Sequence, residues 1–240
     1  MRYLALLYGN EAMGAAPDTP EWETEMAAYA KFSEDEGAAI VTGEALMPSS
    51  TAFTVRSGDG APLVTQGPFA ESTEVVGGMY VLEADGMDRA VDLARQIPAV
   101  LYGAVELRPL VEWFDQRTED EAPPPASRYF ALVLGKPSDG DIPGTAAWDE
   151  GAAAHGAFGA HAGDAVRAGG ALHPASTATT VRVRNGDVLV TDGPFTETAE
   201  VVGGVYVLQS TDRDTIVDLA GRIPTNPGGA IEVWPIVDFE

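Results

Sequence analysis

Apolar residues in this chain gather into short runs separated by turn-forming residues. "YLALLY" from Tyr3 and "YFALVL" from Tyr129 are nearly continuous apolar runs and predict buried strands. After the first run, Trp22, Met26, Tyr29 and Phe32 recur at spacings of four, three and three, one face of a helix. After the second, Trp148 and Phe158 keep that pattern, and His155 stands where the tyrosine stood. This second helix also carries Gly151, Gly156, Gly159 and Gly163. An interior glycine costs about 1 kcal/mol against alanine, so something other than propensity must hold the helix. In "TTVRVRNGDVLVTDGP" the pattern changes to alternation, with Val181 and Val183 against Arg182 and Arg184. Asn185-Gly186 then supplies a two-residue hairpin turn. "VYVLQ" and "MYVLE" predict further strands. Ile216, Leu219 and Ile223 mark a short helix ending at Pro224, and "AIEVWPIV" predicts a last strand.

The pattern is written twice. "TQGPFAESTEVVGG" (from Thr65) and "TDGPFTETAEVVGG" (from Thr191) lie 126 positions apart. The same offset joins "GEALMPSSTAFTVR" to "GGALHPASTATTVR" and "AVELRPL" to "AIEVWPI". No gap interrupts the register. The expected organisation is a first domain over 1–115, a charged and proline-rich linker over 116–127, and a second domain over 128–240. Each copy reads β-α-β-hairpin-β-α-β, an α+β, ferredoxin-like order with two helices on one face of a mainly antiparallel sheet. Such a sheet leaves one face to cover. Two tandem ferredoxin-like domains packed as an internal pseudo-dimer would meet that need, and further oligomers stay open.

Composition narrows the partners. The net charge of −23 opposes binding to nucleic acid, which needs Lys and Arg against phosphates, and opposes adhesion to an anionic membrane. No apolar run reaches the roughly 20 residues of a membrane span, and the first residues do not read as a signal peptide. The absence of cysteine excludes disulfides and thiolate chemistry. These readings place the protein in the cytoplasm, with a small molecule as its expected ligand.

The repeated segments resemble the YCII-related, DGPF-domain proteins: "TATTVRVRNGDVLVTDGPFTETAEVVGGVYVLQ" with "RIP" and "IEVWPI" in the second copy, and "TAFTVR", "QGPFAES", "GGMYVLE" and "ELRPL" in the first. The resemblance implies a dimeric, ferredoxin-like fold of the α/β-barrel type with a pocket near the subunit junction. In some relatives a His–Asp pair is the proposed active site, and one branch removes chloride from a hydroxylated aromatic ring. Some members lie beside extracytoplasmic-function sigma factors.

All three histidines, His155, His161 and His173, and the aspartate of the DGPF motif, Asp192, fall in the second copy. Gln66 replaces that aspartate in the first copy and cannot take a proton. His173 and Asp192 are therefore the first candidates for proton transfer, with His155 beside them. An Asp before Gly-Pro equally serves its own turn, a loop histidine is equally solvated, and His155 is equally a core histidine. Arg182 and Arg56 share one repeat position and suit either a cross-strand ion pair or an anionic ligand; Tyr29 and Trp148 are the remaining pocket candidates. No HxH, HxxxH or HExxH spacing, P-loop, GxGxxG after a strand, or GxSxG is present, so neither a metal nor a cofactor is expected. The sequence thus favours a cofactor-independent enzyme of elimination, isomerisation, cyclisation or dehalogenation type. Its rival is a non-catalytic ligand-binding or regulatory module linked to a sigma factor.

Overall fold

The computed structural model describes residues 1–16, 18–57, 61–69, 73–116, 127–138, 142–196 and 199–238. Most of the expected linker lies outside the described residues. In the first copy the elements are β1 (Arg2–Gly9), α1 (Pro20–Glu36), β2 (Ile40–Ala45), the hairpin β3 (Phe53–Arg56) and β4 (Leu63–Gln66), β5 (Val75–Glu83), α2 (Met87–Ala94) and β6 (Ala104–Asp115). The second copy repeats them as β7 (Ser127–Gly135), α3 (Ala146–Ala162), β8 (Val166–Leu172), β9 (Thr179–Arg184), β10 (Asp187–Asp192), β11 (Val201–Ser210), α4 (Arg213–Arg222) and β12 (Ala230–Pro235). Both long helices begin on a threonine cap. Thr19 Oγ1 accepts from the Trp22 N–H at 3.3 Å, and Thr145 Oγ1 from the Trp148 N–H at 3.2 Å. No helix among the described residues is long and apolar enough to cross a membrane.

The chain forms two compact units, and neither is one continuous copy. The first gathers Met1–Ala45, Ser72–Leu110 and Ser176–Glu197. In it β5 pairs antiparallel with both β2 and β1, and β1 with β6, which is the ferredoxin-like strand order. The hairpin beside β6 comes from the second copy, with Val105 opposite Val181 and Leu107 opposite Thr179. The second unit gathers Leu46–Glu71, Val111–Ala175 and Thr198–Glu240. There β11 pairs with β8 and β7, and β7 with β12. Its added hairpin comes from the first copy, with Ile231 opposite Val55 and Val233 opposite Phe53.

The borrowed hairpins enter the cores. Val181 is fully buried among Tyr3, Leu82, Leu93 and Val105 in one unit, and Phe53 and Val55 among Phe158, Leu208 and Ile216 in the other. Burying such a side chain contributes about 1.5–3 kcal/mol, so each hairpin helps to hold together the unit it enters. At the tip of β9–β10, Asn185 and Gly186 have φ of 54° and 87°, the left-handed pair of a type I′ turn.

Candidate functional site

The DGPF motif serves the hairpin. Gly67 and Gly193 turn with φ of 91° and 101°, conformations that favour glycine. The Gly193 N–H donates to Ala178 O at 2.8 Å and Thr180 Oγ1 donates to Gly193 O at 2.9 Å. Gly67 repeats both bonds with Ala52 and Thr54. The turn aims a phenylalanine N–H at a buried carboxylate of the neighbouring strand. Phe195 donates to Glu106 at 2.9 Å, and Phe69 to Glu232 at 2.6 Å. Burial pushes both carboxyl groups above their ordinary value. Arg182 lies over the Phe195 ring at 4.8 Å and Arg56 over the Phe69 ring at 4.9 Å, so in each copy the repeated arginine makes a cation–π contact.

Gln66 shows one consequence of the difference between the copies. Its amide donates to Ser50 O at 2.8 Å and Ala52 O at 2.9 Å, bonds that a carboxylate has no hydrogen to make. Asp192, at the matching position, ends β10 and is exposed in the first unit. His173 is half-buried just after β8 in the second unit, and is not among the residues lining that unit's cavity.

That cavity, about 950 Å³, lies wholly within the second unit and is of a size typical of small-molecule pockets. One wall is a face of α3. Trp148, Gly151, Ala152, His155, Gly156 and Gly159 recur at helical spacing along it. A Cβ added at Gly151, Gly156 or Gly159 would meet nothing within 4 Å. Gly151, Gly156 and Gly159 keep this wall thin, whereas Gly163 lies past the end of the helix with φ of 55°. Phe114 of β6, Tyr206 of β11, and Thr225 and Asn226 after α4 complete much of the lining.

His155 and Tyr206 form the polar centre. His155 Nδ1 lies 2.9 Å from Tyr206 Oη. Burial lowers the His155 pKa and keeps the imidazole neutral at neutral pH. Burial, reinforced by the negative charge of Glu112, pushes the Tyr206 hydroxyl up to about 12, so it stays protonated. Phe158 braces Tyr206 edge-on, with ring centroids 5.4 Å apart. Gly169 lets the ring lie against β8, since a Cβ there would stand 2.9 Å from Tyr206 Cδ1. A neutral imidazole tied to a protonated phenol can exchange a proton with a third group. When Nδ1–H donates to Oη, Nε2 is the free base.

The first unit carries different side chains at the matching positions. The repeat counterparts of Gly151, His155 and Gly228 are Glu25, Tyr29 and Tyr102. Tyr102 donates its hydroxyl to Glu25 and lies 3.2 Å from the Tyr29 hydroxyl. Its ring also lies beside Gly9, the counterpart of the cavity residue Gly135. Tyr29, expected from sequence to touch a ligand, meets the Tyr102 hydroxyl of its own copy. Its hydroxyl is pushed up to about 12, chiefly by burial.

A YCII-related domain model matches residues 1–114 and again 130–240. The chain belongs to the YCII-related family. It is similar to an uncharacterized protein of Rhizobium meliloti (strain 1021), 33% identical over 118 residues. The match covers 46% of this chain and 92% of that one, about one copy's length. A crystal structure provisionally named as a chlorite dismutase aligns over 99% of this chain and 94% of its own. The identity there is 10% and the TM-score 0.45, too distant to transfer chemistry.

Of the residues proposed from the YCII-type sequence, His155 and Trp148 meet on the cavity wall; Arg182 and Asp192 share the β9–β10 hairpin in the first unit. Sequence reasoning missed Tyr206 and Glu112. The signal for Tyr206 was available, because Tyr80 holds the same position in the first copy and packs on Phe32 as Tyr206 packs on Phe158. Among the described residues no group of three or more His, Asp or Glu is placed to hold a metal ion.

Proposed function

We propose that the second unit binds a small, partly apolar molecule in the α3 cavity and that His155, held by Tyr206, transfers a proton to or from it. The observation that carries this reading is the His155–Tyr206 bond on the wall of that cavity. Trp148 and Phe114 offer flat apolar surface, and Asn226, Thr225 and Glu112 offer polar contacts at defined places. His155 accepts the proton at Nε2 while its Nδ1–H stays on Tyr206. Tyr206 orients the ring without ionising, and its hydroxyl accepts whenever Nδ1 carries the hydrogen.

The test is incubation of the protein with a metabolite extract, read by mass spectrometry, for wild type and His155→Ala. A species consumed by wild type and left intact by the variant supports catalysis. A species retained unchanged by both supports the non-catalytic binding module instead. Neither consumption nor retention overturns both readings. Proton-transfer roles for His173 and for Asp192 remain separate proposals, each read by its own variant, His173→Ala and Asp192→Asn, in the same assay.

We further propose that the fused copies descend from a dimer whose subunits exchanged hairpins. The support is that each unit's core contains a hairpin of the other copy. Co-expressed separate copies should then co-purify, whereas two stable independent monomers would overturn this.

A further inference from the structure

We infer that the first copy holds a second site of the same design, closed from within by Tyr102, which occupies it as a tethered phenol. The inference concerns the first copy alone and does not depend on proton transfer by His155.

The argument starts from the repeat. Position by position, the α1 face Trp22, Glu25, Met26, Tyr29, Ala30 and Ser33 matches the α3 face Trp148, Gly151, Ala152, His155, Gly156 and Gly159. Both helices have the same length and the same threonine cap. Both copies keep the tyrosine of the facing strand, Tyr80 or Tyr206, and the glycine that admits it. A Cβ at Gly43 would stand 2.4 Å from Tyr80. The helix wall and the tyrosine facing it are therefore present twice.

Its contents differ. Tyr102 follows the 3-10 turn Pro98–Leu101, and its hydroxyl meets Glu25 and Tyr29. The counterparts of those two partners, Gly151 and His155, line the open cavity. The counterpart of Tyr102 itself is Gly228, which has no side chain to insert. Burial, and then the neighbouring Tyr29, raise the Tyr102 hydroxyl above its ordinary value, so the plug is a neutral phenol. Tyr102, anchored at its hydroxyl by the Glu25 carboxylate, is the side chain that occupies the first-copy site. The ligand class that fits the first copy follows from its occupant: one aromatic ring bearing a hydroxyl.

Removing the plug and returning its chemistry in solution tests this. Tyr102→Ala should lower the melting temperature, and p-cresol, the excised side chain, should raise it again saturably. At about ten times its dissociation constant the gain should be roughly 3–5 °C beyond any shift that p-cresol causes in wild type. Toluene, which lacks the hydroxyl, should restore less. Equal p-cresol shifts in wild type and variant, or equal restoration by toluene, would overturn the inference. Tyr102→Phe keeps the ring and guards against a variant that does not fold. It should melt below wild type because Glu25 loses its donor, and an unchanged melting temperature would overturn the anchoring on which the inference rests.

Discussion

At the scale of the residue, His155 and Glu232 show burial acting on a base and on an acid. Burial holds the His155 pKa below its ordinary value of 6.5, so the neutral base persists as pH falls through 6.5. If His155 is the general base, the acid limb of kcat/KM should lie below pH 6.5. His155→Gln should remove that limb and lower kcat/KM by about 10²–10⁴-fold. A limb at or above 6.5 would point to another group. Glu232 is held by the Phe69 N–H at 2.6 Å and the Trp234 Nε1–H at 2.7 Å. Glu232→Ala leaves two donors without that acceptor, and should destabilise the protein by about 2–4 kcal/mol in urea denaturation. A loss under 0.5 kcal/mol would show that the bonds contribute little.

At the scale of the element, α3 sets stability against space. Gly156 and Gly159 are interior helix positions where a methyl group meets nothing within 4 Å. Gly156→Ala and Gly159→Ala should each stabilise the protein by about 0.5–1 kcal/mol. Larger replacements at the same positions should weaken ligand binding by filling the cavity, so Gly156→Leu should lose affinity while the fold survives. Retained affinity in Gly156→Leu would place the ligand elsewhere. The glycines of this helix were legible in the sequence as an anomaly of propensity, but their cause was not. One helix face seen alone does not show whether the opposite wall advances to meet it. Here it does not, because Gly228 stands where Tyr102 stands in the first copy.

At the scale of the whole molecule, the exchanged hairpins and the buried carboxylates act together. Glu106 and Glu232 have folded pKa values raised above their ordinary 4.5, by burial first. Between 4.5 and each raised value the unfolded chain binds fewer protons than the folded one. Their contribution is therefore fully present below 4.5 and is lost as pH rises through the folded pKa. Glu106→Gln should flatten this part of the stability profile measured by denaturant titration. An unchanged slope would mean that Glu106 is not the titrating group. The net charge of −23 adds self-repulsion at neutral pH, so moderate salt should raise stability in the same measurement.

The sequence by itself determined the repeat, the element order and the hairpin turn, because each rests on local periodicity or on residues such as Asn185-Gly186 whose backbone preference is intrinsic. It also marked the second copy as the one rich in histidine. Which copy's core each hairpin enters was left to the tertiary structure, because alternating valines specify a buried face without naming the strand that covers it. The same limit applied to the site. His155, Tyr206 and Glu112 come from a helix and two strands far apart in the chain. Only packing brings them to one cavity, where Gly151, Gly156 and Gly159 leave room beside them.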